Sequence, residues 1–249
     1  MIDAASPKPT GTALVISEDA AAIEQLTAPL RQFAITLRVC PDIDQATDLL
    51  GSRKFEAVIV DLILGYRAMR LLQQVHESPS NRTAVTFAIT SSREEAGLAL
   101  QRGAHFLLER PLSAESLSHT VRAAYGSILR ERRRYFRYPI TAPILVRRSG
   151  NPQLPGQMMN ISERGLALKT PVSLSVGSEA TLQFVLPDLS VPITAEAKVC
   201  WSNALGHAGL QFVALSGEAS GKLSAWLANR LEEQLPKHVA REFGPPREP

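Results

Sequence analysis

Arg130-Glu131-Arg132-Arg133-Arg134-Tyr135-Phe136-Arg137-Tyr138-Pro139 divides this chain into two segments of different periodicity. Before it, apolar runs alternate with helically spaced apolar residues. After it, short runs alternate residue by residue. Within the stretch, Glu131 is the one acidic residue against Arg130, Arg132, Arg133, Arg134 and Arg137. A solvated helix face would mix its signs and would not place a tyrosine and a phenylalanine inside the run. Arginine pairs bidentately with phosphate and with the O6/N7 edge of guanine, and its flat guanidinium stacks on rings. The stretch therefore points to a partner bearing phosphate or guanine.

Upstream, Leu14-Val15-Ile16 is a short apolar run, and Ile23, Leu26, Leu30 and Phe33 follow at helical spacing. The alternation repeats through Ile35–Val39, Ala57–Val60, Val85–Ile89 and Phe106–Leu108, with helical patterns between. Ser113 is placed as an N-cap, with Leu117, Val121, Ala124 and Ile128 on one face of a helix expected to run through Leu129 into the arginines. Five strands alternating with five helices predict a doubly wound five-stranded parallel sheet, with its working edge at the strand C-termini. That edge carries Ser17, Glu18 and Asp19 after the first strand and Asp61 after the third. Thr90 follows the fourth, and Arg110-Pro111 the fifth.

Downstream of Pro139, six short runs are separated by turn signals, among them Ser149-Gly150-Asn151-Pro152, Gly177, Pro187-Asp188 and Gly206. In the clearest run, Ile193, Ala195, Ala197, Val199 and Trp201 alternate with polar residues. This pattern predicts an antiparallel β-barrel or sandwich. Leu223, Trp226, Leu227 and Leu231 then form a C-terminal helix across an open end. Trp201 and Trp226 are both assigned to the core. The boundaries expected are a flexible tail at 1–11, an α/β domain at 12–127, an arginine-rich lead-in at 128–139, a β-barrel with C-terminal helix at 140–236, and a flexible tail at 237–249.

The chain has 249 residues, enough for two domains with real cores. Its net charge of +3 is too small for a general nucleic-acid binder, so the clustering of the arginines carries the information. Cys40 and Cys200 match no metal spacing and fit a reducing compartment, and the histidines show no ligand spacing. The first residues have neither a basic lead nor an apolar run. No segment nears the roughly 20 apolar residues that span a bilayer. A cytoplasmic protein without membrane insertion is expected.

Two resemblances add to this. The arginine run, together with Asn160-Ile161-Ser162-Glu163-Arg164-Gly165, resembles the signature of the PilZ domain, which receives cyclic di-GMP. That family pairs an Arg-x-x-x-Arg motif on a flexible lead-in with Asn-x-Ser-x-x-Gly. Two registers are open, Arg130 with Arg134 or Arg133 with Arg137. The second places its last arginine just before the first strand and its proline. The resemblance then implies Arg132, Arg133, Arg137, Asn160, Ser162 and Gly165 as ligand-binding residues, with Arg164 adding charge.

The upstream half resembles the receiver domain of response regulators. That implies Asp61 as phosphoacceptor, with Glu18, Thr90 and Arg110 around it, and Mg2+ needed only if Asp61 is phosphorylated. The match is degenerate. Ser17 stands where an acidic residue is usual, Arg110 where lysine is, and Leu107 where an aromatic is.

The reading is a non-enzymatic signalling protein that binds cyclic di-GMP and passes binding to an unidentified protein partner or to its own receiver-like half. The alternatives are a regulator controlled by phosphorylation at Asp61, an adaptor with an idle pocket, and a nucleic-acid binder using the arginine run.

Overall fold

The computed structural model describes residues 11–148, 152–235, 237 and 239. The expected tail at 1–11, apart from Gly11, lies outside the described residues. So do Ser149, Gly150 and Asn151 of the expected turn, and most of the expected tail from 237 on. Gly11 itself opens the first strand. The chain forms two compact units, Met1–Arg132 with Glu232–Pro249, and Arg133–Leu231.

In the first unit the strands are β1 (Gly11–Ile16), β2 (Ile35–Val39), β3 (Ala57–Asp61), β4 (Val85–Thr90) and β5 (Phe106–Glu109). The helices are α1 (Ala20–Gln32), α2 (Ile43–Ser52), α3 (Tyr66–Glu77), α4 (Arg93–Gln101) and α5 (Ala114–Tyr135). The sheet is all parallel in the order β2-β1-β3-β4-β5, the flavodoxin-like order. Every residue of β3 and β4 is buried, because helices cover both faces of a parallel sheet. One face packs β1, β3 and β4 against α1 and α5 through Val15, Ile59, Phe87, Leu26, Val121 and Tyr125. The other packs Ile16, Val60 and Ala88 against α2 and α3 through Leu50, Leu71 and Leu72.

The helix starts follow local chemistry. Asp19, Asp42 and Ser92 each accept backbone N–H bonds from the first turn of α1, α2 and α4. Ser113 accepts the Ser116 N–H at 3.2 Å, so its assignment as the cap of α5 holds. The helix continues through Arg132, Arg133 and Arg134 to Tyr135, the run into the arginines expected from the sequence, whereas the family's motif is on a flexible lead-in. The chain also returns to the first unit at Glu232, earlier than the boundary expected at 236. The cause is apolar: Leu235 and Val239 bury in the same cluster as Leu26, Leu30, Tyr125 and Ile128.

In the second unit β6 (Tyr138–Arg147), β7 (Leu154–Ser162), β8 (Gly165–Lys169), β9 (Glu179–Phe184), β10 (Ile193–Ser202) and β11 (His207–Leu215) form a closed antiparallel barrel. The order is β10-β11-β8-β7-β6-β9, and β9 pairs with both β6 and β10 to close it. Along β6 and β10 alternate residues are buried, the period expected when one face meets the core. Helix α6 (Gly217–Glu232) contributes Leu223, Trp226, Leu227 and Leu231 to that core. The Trp226 indole N–H donates to Pro187 O at 2.8 Å, and its ring meets Tyr138 edge-on at 5.2 Å. Arg230 lies over both rings and pairs with Asp188. The core assignment of Trp226 is correct, but Trp201 is 47% exposed.

Candidate functional site

Two places collect the residues singled out from the sequence. The first is the C-terminal edge of the parallel sheet. Asp61 ends β3 with no exposure to water, and a carboxylate so placed must be paired where it lies. Ser17 Oγ donates to Asp61 Oδ2 at 2.7 Å. Arg110 follows β5 and donates from Nη2 to Asp61 Oδ2 at 2.8 Å and from Nη1 to Asp19 Oδ2 at 2.7 Å. The other oxygen of Asp19 caps α1 by accepting from the N–H groups of Ala21 and Ala22. The Ala22 N–H bond, then the Arg110 hydrogen bond, hold the Asp19 carboxyl below the usual carboxylate range. Partial desolvation opposes the charge on Arg110. Its hydrogen bond to Asp19 and the field of Asp61 outweigh that, so its pKa lies above the ordinary arginine value.

Glu18, the acidic partner implied from the sequence, is exposed, and Asp19 takes the inward position instead. As the helix cap, Asp19 has its carboxylate turned towards the sheet edge. Thr90 is buried at the end of β4, and its Oγ1 has no hydrogen-bond partner. The Mg2+ implied by a receiver does not fit this arrangement. Arg110 already places a cation on both carboxylates that would hold it. Among the described residues no group of three His, Cys, Asp or Glu side chains could hold a metal.

The second place is on the barrel. A cavity of ≈ 290 Å³ is lined by Arg134, Arg137 and Arg164, with Ser162 and Gly165 at its wall. Tyr135, Cys200, Trp201, Gly209 and Gln211 also line it. The turn from β7 to β8 is closed by Ser162 Oγ donating to Gly165 O at 2.9 Å. Gly165 has no alternative: a Cβ there would lie 2.1 Å from Leu210 O on the paired strand β11. The glycine lets two strands meet, and so fixes the cavity wall. Gly209 does the same for Trp201, whose indole nitrogen would lie 2.0 Å from an added Cβ. The indole thereby packs close against β11 while the residue stays half exposed.

Of the ligand-binding residues implied from the sequence, Arg137, Ser162 and Gly165 come together at this cavity. Arg132, Arg133 and Asn160 are not in its lining. Arg132 pairs with Glu56 in the first unit at 3.4 Å. Arg133 lies within α5, and its Nε is buried without a partner. Asn160 lies on β7 opposite Pro139, with its Oδ1 buried and without a partner. Arg134, from the register set aside, lines the cavity. Trp201 also lines it, and strand alternation alone had assigned that residue to the core. Its partner across the sheet is Gly209 on β11, a pairing that the alternation of β10 alone does not reveal.

A family model for the PilZ domain matches residues 131–229, so the barrel with its lead-in and α6 is a PilZ domain. PilZ domains form the cyclic di-GMP receptor family. Among solved structures, a CheY-like receiver domain protein from Methanospirillum hungatei is 16% identical with a TM-score of 0.43. The match covers 51% of this chain and 99% of that one. A response regulator from Thermotoga maritima is also 16% identical, with a TM-score of 0.42 over 49% of this chain and 98% of that one. The inhibitor of motility MotI/DgrA from Bacillus subtilis is 17% identical with a TM-score of 0.33, over 38% of this chain and 48% of that one. Comparison with curated proteins gives no match. No helix among the described residues is long and apolar enough to cross a membrane.

The lock at the sheet edge has two measurable consequences. Asp19, with its pKa below the ordinary 3.8, adds stability that is complete above that value and is lost as pH falls through the folded-state value. Wild type and Asp19→Asn should therefore differ in urea midpoint at neutral pH and converge in acid. Because Arg110 occupies the Asp61 carboxylate, acetyl phosphate with Mg2+ should leave intact protein unlabelled in mass spectrometry. A stoichiometric phosphoryl adduct on Asp61 would show that Arg110 gives way.

Proposed function

We propose that this chain is a cytoplasmic receptor for cyclic di-GMP, without catalytic activity of its own, that passes ligand binding to a protein partner or to its receiver-like half. The observation that carries the reading is the gathering of Arg134, Arg137 and Arg164 beside Ser162 in one cavity of the PilZ domain. Cyclic di-GMP offers two phosphates and two guanines. The guanidinium groups suit both, by bidentate pairing and by stacking. The half-exposed Trp201 stands at the same wall. Arg133 and Asn160 each carry a buried polar atom without a partner; Arg133 adjoins Arg134 of the lining, and Asn160 lies two residues before Ser162. They complete the ligand set if the lead-in closes over the ligand. The arrangement is one of binding, since no nucleophile is paired with a base there.

Calorimetric titration of cyclic di-GMP tests the reading. Wild type should bind, and Arg137→Ala should bind tenfold or more weakly, since a charge-assisted hydrogen bond is worth roughly 1.5–3 kcal/mol. Absence of heat from folded wild type would make the PilZ domain an adaptor. Transmission to the first half is tested on the same complex by hydrogen exchange. Ligand should alter protection before residue 113, and unchanged exchange there would confine the signal to the second half.

A further inference from the structure

The arginine run is divided between two occupations. Arg134 and Arg137 line the cavity, whereas Arg132 is engaged inside the first unit, to which both it and Glu56 belong. Glu56 stands just before β3 and is 4% exposed. Its Oε2 accepts the Thr12 N–H at 2.7 Å, and its Oε1 faces Arg132 Nη1 at 3.4 Å. The neighbouring Glu131 is also buried, bonded by Lys54 and by Thr83 Oγ1 at 2.7 Å.

The Glu56–Arg132 contact is long and one-pronged. Arginine's fork is built to meet an anion with two parallel bonds, and here the Arg132 Nε has no acceptor. The side chain is 31% exposed and so can reach solvent. A phosphate could offer Arg132 the two-pronged contact that Glu56 does not. Glu56 would keep the Thr12 N–H but lose its counter-charge.

Resting on the receptor reading above, we propose that Glu56 is a positioning residue that withholds Arg132 from cyclic di-GMP, so that the first unit sets the affinity of the second. One guanidinium cannot serve two anions at full strength, and each binding event must exchange the carboxylate for the ligand. Displacement of the segment bearing Glu56, whose partner Thr12 lies on β1, then changes ligand affinity without touching the cavity. This gives the receiver-like half a regulatory output that needs no phosphoryl group.

The test is calorimetric titration of cyclic di-GMP into wild type, Glu56→Gln, Glu56→Asp, Arg132→Ala and the Glu56→Gln/Arg132→Ala double variant, each checked for folding by circular dichroism. Glutamine keeps an acceptor for Thr12 without the charge, and aspartate keeps the charge without the reach. Both should bind about fivefold tighter than wild type, the scale of a partly exposed ion pair. The gain should vanish when Arg132 is absent. If Glu56→Gln does not fold, Glu56→Asp carries the comparison. Wild-type affinity in both Glu56 variants, with Arg137→Ala still impaired, would overturn the withholding and leave the receptor standing. No binding by any of the proteins would overturn both.

Discussion

A carboxylate shut away from water must be compensated at its own position, because its solvation is lost and nothing distant restores it. The first unit buries Asp61, Glu56 and Glu131, and each is met locally. Asp61 takes Ser17 and Arg110, Glu56 takes Thr12 and Arg132, and Glu131 takes Lys54 and Thr83. The chain's basic residues are thus sorted by environment. Lys54 and Arg110 are closely paired with buried acids, and Arg132 more loosely. Arg134, Arg137 and Arg164 of the second unit line an open cavity instead. The same side-chain chemistry thus neutralises buried acids in one place and lines an open cavity in the other.

On the barrel the deciding constraint is closeness of backbone. Gly165 and Gly209 both lie where an added methyl group would meet another group at van der Waals overlap, Leu210 O in one case and the Trp201 indole in the other. Neither has a positive φ, so their role is space and not conformational freedom. The Asn-x-Ser-x-x-Gly turn is therefore first a device for bringing β8 against β11, with Ser162 closing it through Gly165 O. The cavity wall follows from that packing. Replacing either glycine would act on the cavity through the strands that form it.

Much of this was legible in the sequence. Period-2 and period-3.6 apolar patterns are produced by burial itself, so β3, β4, β6, β10 and α5 stood out where burial is one-sided or complete. The residues that misled are those whose environment depends on a neighbour far away in the chain. Trp201 continues the apolar phase of Ile193 to Val199, yet a register shift between Val199 and Trp201 turns it outward. Glu18 and Asp19 are chemically alike, and the start of α1 decides which one faces Arg110. Arg132 belongs to a run that reads as one unit, and Glu56, 76 positions earlier, separates it from the rest. A pattern within a window contains none of these relations.

The geometry of the run also bears on how a ligand could engage it. Helix α5 ends at Tyr135, so Arg133 lies on the helix and Arg137 beyond it. Residues four apart share a face only while the helix continues. Arg133 and Arg137 therefore do not form a pair in this conformation, whereas Arg134 reaches the cavity from the last helical turn. Bringing Arg133 to the same cavity requires that last turn to open. The final carbonyls of a helix have no intrahelical partners, and terminal turns are the least costly part of a helix to unfold. Upstream, the contacts of Glu131 and Arg132 with Lys54, Thr83 and Glu56 oppose that opening. The helical end of α5 therefore separates the two arginine registers, placing Arg134 at the cavity and Arg133 away from it, and the first unit's buried carboxylates favour that helical side.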